Sequence, residues 1–423
     1  MNYIFLKSKI VLFTLFFLIT SFLYADVDIV SSQEALPKIA ITKTININCP
    51  KKAILKFDKS LRFDMSIVPY FKLKNQVTNI VNNDFEKWKK LGVEYLFTKS
   101  CVMKNKKMNV EVTIFSPTDK KAIWKKLFIE SYKYPHRFAH FIANDIYGFF
   151  SSGKKGIFLS KIVYAKKVNR KKQIFTMSID NSNVRAITKN RAINMLPMWA
   201  GKNILFTSYL KGSTDLYMAD LKKGRIRTVS SRSGLNVGGV LSPDGKKIVV
   251  TLSKDGNSEI YLLDKYGKLL KRLTRNRALD TSPNWSPDGK KITFVSNRHG
   301  NPHIFIMNSD GSDQKRLTFQ GTYNQTPQWS PQGDRILFTG RDERNKFDIF
   351  YIDLTDNNKI VRLTQGNGHN EEPSYSPDGE FIMFLSSRTG TNQIFIMDKD
   401  GKRAVKVTNS KSRYYTPRWS TFF

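Results

Sequence analysis

Beyond about residue 160 the apolar positions fall into short runs rather than helical stripes. A Trp-type position recurs at Trp199, Leu241, Trp285, Trp329, Tyr375 and Trp419, every 42 to 46 residues. Between these markers each period repeats three apolar runs. The clearest set is Ile292-Thr293-Phe294, Ile304-Phe305 and Leu317-Thr318. Runs this short, rich in β-branched and aromatic residues, predict strands. The connections are turns with a mechanism. In Ser286-Pro287-Asp288-Gly289 the proline presets φ, the aspartate can bond the backbone ahead of it, and the glycine supplies a positive φ. Four short antiparallel strands per period, six periods in all, predict an all-β six-bladed β-propeller over 153–423. The Trp-type column starts late and ends at Trp419, with nothing after it to build a further blade. Residues near Tyr414–Ser420 are therefore expected to supply the missing strand of the first blade, around Ile162 and Ile174, and close the ring.

Residues 37–152 carry no repeat and predict a small α/β domain. Lys38–Ile41, Val93–Phe97, Met108–Phe115 and Ala122–Ile129 read as strands. A helix is expected from Lys51 to Leu61 after Pro50. Asp84 should cap a short helix that Gly92 ends. Pro135 opens a third helix, with Phe138, Phe141, Ile142 and Ile146 expected inward. Residues 1–25 read as a signal peptide: Lys7 and Lys9, an apolar stretch from Ile10 to Leu23, then a cleavage site after Ala25. The apolar stretch falls short of the ~20 residues of a spanning helix. Residues 26–36 read as a flexible N-terminal arm. Given the signal peptide, the mature chain is expected to be exported.

Composition changes this picture in two places. The formal net charge is +35. The basic residues are spread along the chain, which reads as a solvated surface, and attraction to an anionic surface is the alternative. Export argues against nucleic acid. Cys49 and Cys101 permit one disulfide in an oxidising compartment or stand as two buried thiols.

Candidate chemistry is sparse. The G-x-S-x-G elbow of propeller-linked hydrolases is absent. His136 and His140 have metal-ligand spacing, but Arg137 follows where a metalloprotease needs glutamate, so both read as helix-surface or interdomain residues. No cofactor is expected, and the turn aspartates are explained by turn geometry. Propeller ligands commonly meet the mouth of the central channel, at positions just before each Trp-type block. There stand Asn194, Asn236, Asp280-Thr281, Asn324-Gln325, Asn370-Glu371-Glu372 and Tyr414-Tyr415. A polar column beside very apolar strands suits a protein ligand. Asp280, Glu371 and Glu372 would be the carboxylates of a peptide or glycoside hydrolase, the alternative function. A lectin-like cell-wall binder is a third.

The order of signal peptide, small α/β domain and six W-S-P-D-G…K-I-x-F…I-Y-x-M-x-x-D-G…R-L-T blades resembles the TolB-type propeller family, periplasmic components of the Tol–Pal system. The copies from Ser286–Gly289 through Leu317-Thr318 and the stretch Gly153–Tyr164 carry the likeness. The resemblance implies a monomeric, non-enzymatic adaptor serving outer-membrane integrity and cell division. Its propeller mouth would bind a Pal-type lipoprotein through Asn236, Asp280, Thr281, Asn324, Gln325, Glu371 and Glu372. Its arm, Asp26-Val27-Asp28-Ile29-Val30, would engage a TolA-type inner-membrane protein. Association with the outer membrane would be peripheral, through those partners. The first two Trp-type blocks depart from the family pattern, and the charge is unusually basic.

Overall fold

A computed structural model describes residues 28–29, 36–74, 84–341 and 343–420. The predicted signal peptide and Asp26, Val27 and Val30 of the arm lie outside the described residues.

The N-terminal domain is a mixed sheet with helices on both faces. Across it run Lys72–Leu73, Lys38–Ile41, Tyr95–Lys104, Lys107–Ser116 and Lys121–Ser131, the last three as an antiparallel meander. Helix α1 (Lys51–Ile67) and helix α3 (Pro135–Phe150) pack together on one face, with Phe57 against Phe138 at 5.7 Å. Helix α2 (Phe85–Lys90) buries Trp88 on the other, against Ala40, Val93 and Leu96. Asp84 caps α2 by accepting from the Lys87 amide at 3.1 Å. Cys49 and Cys101 form a disulfide. Closing a loop of 52 residues contributes about 4 kcal/mol in the chain-entropy view.

Two sequence expectations need correction. Phe141 stands half exposed, because the inward stripe of α3 is Phe138, Ala139, Ile142, Ala143 and Ile146. Helix α1 also runs two turns past the expected Leu61. The polar Ser60 and Asp64 interrupt its apolar stripe, yet both are buried.

Those two residues belong to the domain junction. The Ser60 hydroxyl donates to Asp180 at 2.5 Å and lies 2.7 Å from His136 Nδ1. Asp180 comes from the first blade, in the turn after Lys171–Ser178. His140 Nδ1 lies 2.7 Å from Asp64, and its Nε2 lies 3.5 Å from Asp180. Burial pulls the His140 imidazole down, but Asp64 and Asp180 outweigh it and hold it up at about 10. Burial pushes Asp64 up to about 7 against the pull of His140. Burial also opposes ionisation of Asp180, yet His136 and His140 hold it far below the usual carboxylate range. Of the two expected roles for the histidine pair, the interdomain one is observed. Apolar packing joins the domains as well, with Tyr147 of α3 against Phe381 at 6.2 Å.

The propeller has six four-stranded blades, each meandering outward from the channel. The inner strands are Tyr414–Trp419 (blade 1), Asn194–Ala200 (blade 2), Asn236–Leu241 (blade 3), Asp280–Trp285 (blade 4), Asn324–Trp329 (blade 5) and Asn370–Tyr375 (blade 6). Ring closure is as expected: Tyr414 pairs with Lys166 and Trp419 with Ile162. The Trp419 indole N–H donates to Ser160 at 2.8 Å, and the Trp285 indole reaches Val240 of the preceding blade at 3.2 Å. The turn aspartates bond within their own turns. Asp288 accepts from the Ser286 hydroxyl at 2.6 Å and the Lys290 amide at 3.0 Å.

The hydroxyl column sits differently from expectation. Thr188, Thr274, Thr318, Thr364 and Thr408 fall just past the short outermost strands. Each hydroxyl accepts the amide of the isoleucine in the neighbouring strand at 2.9 Å. The column therefore ties off the blade edge rather than extending it.

Candidate functional site at the channel mouth

Five of the six inner strands open with a buried asparagine or aspartate, and that of blade 1 opens with the buried Tyr414. Asn236 and Asp280 are 0 % exposed and Asn324 3 %. Asn236 accepts from the Ser230 hydroxyl at 2.5 Å and donates to the Arg232 carbonyl at 2.7 Å. Asp280 accepts from Asn276 at 2.7 Å and Arg298 at 2.9 Å. Asn324 donates to the Gln320 carbonyl at 2.8 Å. Asn370 follows suit, donating to Asp348 at 2.8 Å. Burial pushes the Asp280 carboxyl up, against Ser296 and Arg298. These side chains fasten the loop that leads into each inner strand. Asn236, Asp280 and Asn324 are thus buried with hydrogen-bond partners inside the blade, although Asp280 Oδ1 is left without one among the described residues.

Two residues further on, each inner strand bulges. Leu196, Gly238, Ser282, Thr326, Glu372 and Thr416 all have φ between +46° and +67°, and the pairing register shifts around each. Glycine suits this conformation, whereas each of the other five carries about 1–3 kcal/mol of backbone strain. Neighbouring blades hold the bulges: the Glu372 amide donates to Thr339 at 3.1 Å and the Gly238 amide to Thr207 at 3.3 Å. All six residues line one cavity of about 120 Å³ in the channel, with Val237, Thr281 and Arg418.

The remaining predicted residues divide. Thr281 and Glu372 line the cavity, while Gln325 and Glu371 are half-buried beside it. Glu372 pairs with Arg418 of blade 1 at 3.0 Å. The Glu371 side chain makes no hydrogen bond or ion pair among the described residues. Burial first, and then the charge of Glu372, push its carboxyl up. Of the arm, Asp28–Ile29 is described. It runs parallel to Lys359–Arg362, the outermost strand of blade 5, with Asp28 beside Val361 and Ile29 beside Arg362.

Sequence reasoning missed the rim. Leu235 and Leu279, each directly before an inner strand, are exposed, Leu279 to 50 %. Phe319, in the loop leading to the blade 5 inner strand, is 72 % exposed and carries Arg316 over its ring at 4.9 Å. Large exposed apolar side chains are candidates for contact with a partner. The signal was legible one position upstream of the polar column, where Ile193, Leu235, Leu279 and Tyr323 stand. Among the described residues no group of three or more His, Cys, Asp or Glu side chains is placed to hold a metal ion.

Comparison with known proteins fits this architecture. A family model described as "TolB beta propeller domain" matches residues 151–356 and 342–422. The chain is 31% identical over 160 residues to the Tol-Pal system protein TolB of Desulfosudis oleivorans, covering 36% of this chain and 35% of that one. It is 37% identical over 123 residues to the Tol-Pal system protein TolB of Geobacter metallireducens, covering 29% and 28%. These matches thus span about a third of each relative's length. The crystal structure of TolB from Acinetobacter baumannii superposes with a TM-score of 0.80 at 23% identity, covering 92% of this chain and 98% of that one. At that identity the likeness shows the fold. With six blades, a bulged inner ring and a family match over most of its length, the chain belongs to the TolB β-propeller family.

Proposed function

We propose that this chain is a periplasmic, non-enzymatic adaptor of the Tol–Pal envelope system. Its channel mouth binds a Pal-type, peptidoglycan-associated lipoprotein, and its N-terminal arm engages a TolA-type inner-membrane protein. In that role it supports outer-membrane integrity and cell division.

The observation that carries the proposal is the division of labour at the mouth. Two of the three carboxylates a hydrolase would use are tied up, Asp280 by Arg298 and Asn276, and Glu372 by Arg418, which leaves Glu371 without a free second carboxylate to work with. What remains toward a ligand is Thr281, Gln325 and Glu371, with exposed apolar side chains, Leu235 and Leu279, directly before two of the inner strands and Phe319 in the loop between blades 4 and 5. That is the composition of a protein-binding patch, with apolar anchors and a few polar groups that fix register. The names of the relatives supply the system. For the arm, the support is its strand pairing on blade 5, which shows that this segment adds to a sheet edge.

The test is capture of a purified Pal-type lipoprotein by the full chain and by a variant carrying Thr281→Lys with Glu371→Lys. Binding by the parent and its loss in the variant are expected, whereas removal of residues 26–36 should abolish TolA-type capture. Turnover of peptide or glycoside substrates that disappears with Glu371→Gln would replace the adaptor with the hydrolase.

A further inference from the structure

Where the N-terminal domain meets blade 6, a groove of about 300 Å³ opens between them. Its charged lining comes from both sides. Arg62 stands on α1, Lys72 and Lys74 on and beside the edge strand Lys72–Leu73, and Arg403 in the turn before Val405–Lys406 of blade 6. Ser66, Leu73, Ala404 and Val405 complete the lining, and among the described residues no carboxylate is part of it.

Three of these four cations are held by backbone carbonyls. Arg62 donates to the Lys74 carbonyl at 3.1 Å. The Lys74 ammonium donates to the Leu91 carbonyl. Arg403 spans the Phe71 and Val68 carbonyls at 2.5 and 2.7 Å. A carbonyl orients a cation without neutralising it, so the groove gathers fixed positive charge. Burial pulls both guanidiniums below their ordinary range, with Asp58 and Asp398 opposing that shift for Arg62 and Arg403 respectively. Gathering like charges in a partly desolvated site is unfavourable unless a counter-charge enters. Guanidinium forks suit tetrahedral oxyanions, and lysine adds a mobile point charge.

We propose that this groove binds a phosphate-type oxyanion, either free phosphate or the headgroup of a phosphorylated lipid, through Arg62, Lys72, Lys74 and Arg403. The site is independent of the channel mouth. A ligand here touches both domains and tightens their junction.

The test titrates inorganic phosphate into the full chain against chloride at constant ionic strength, read by calorimetry and by melting temperature. Saturable binding at one site and a raised melting temperature are expected. Lys72 is exposed and makes no ion pair among the described residues, so Lys72→Ala should melt like the parent without phosphate. It should bind phosphate at least about fivefold more weakly, about 1 kcal/mol. Arg62→Gln should weaken binding as well. Vesicles of phosphatidylglycerol, compared with phosphatidylcholine, distinguish the sources. Capture that falls with Lys72→Ala and with added phosphate assigns the lipid headgroup. Capture that ignores both assigns free phosphate, provided phosphate itself binds. A phosphate effect equal to that of chloride, or one undiminished in both variants, overturns the proposal.

Discussion

The propeller and the domain junction both bury polar groups, but they do so by opposite rules. In the propeller the buried polar residues recur. A Thr hydroxyl ties off the blade edge, and an Asn or Asp fastens the inner strand, in blade after blade. At the junction the set of Ser60, Asp64, His136, His140 and Asp180 occurs once. Recurrence marks what every blade needs in order to be a blade. Residues that differ between blades, such as Glu371 and Phe319, are not explained by that need.

The largest effect should come from breaking the propeller where its rule depends on distant residues. Removing the chain after Arg413 strips blade 1 of its inner strand and should abolish the cooperative melt of the propeller. Trp419→Ala alone should cost about 3–5 kcal/mol, read from denaturant midpoints. A truncated chain that melts like the parent would refute the closure.

The junction should come next. His140→Ala leaves Asp64 buried beside Asp180 without the cation between them, a loss of about 3–5 kcal/mol. The sign of its pH dependence follows from His140. Its folded pKa, held at about 10, lies above the unfolded value of 6.5. Its contribution is therefore complete below about 6.5 and lost as pH rises toward about 10. Urea midpoints should fall across that window in the parent, and the slope should flatten in His140→Ala.

Replacing single members of the threonine column sharpens the contrast. Thr274→Val and Thr408→Val each leave one buried amide without its acceptor and should cost about 1–3 kcal/mol. Similar losses in different blades are expected if recurrence reflects architecture. A loss confined to one blade would give that threonine a private role. Smallest in stability should be Leu279→Ser and Phe319→Ser, within about 0.5 kcal/mol of the parent, while lipoprotein capture in the same samples is lost.

Much of this was legible in the sequence, and the same contrast explains what was not. Six copies of each strand and turn reported the blades, and the late start of the Trp-type column reported the closure. Repetition says less at the mouth. Asn236, Asp280 and Asn324 recur as polar residues before successive Trp-type blocks, and the sequence does not reveal that their side chains are buried inside the blade. Ser60 and Asp64 have no repeat to compare with, and the expected helix stopped at Leu61, short of Asp64. Their partners lie 76 to 120 residues away, beyond the reach of local periodicity.

The closing strand also sets a timetable. The Lys161 amide donates to the Ser420 hydroxyl across 259 residues of sequence. Lys161–Val168 therefore waits with one edge unpaired while every other blade can already form from contiguous chain. Contacts so distant in sequence are late to form, and an unpaired strand edge invites other strands in the meantime. The first blade to emerge should be the last to finish, and the interval between them is when this chain most needs protection from its neighbours.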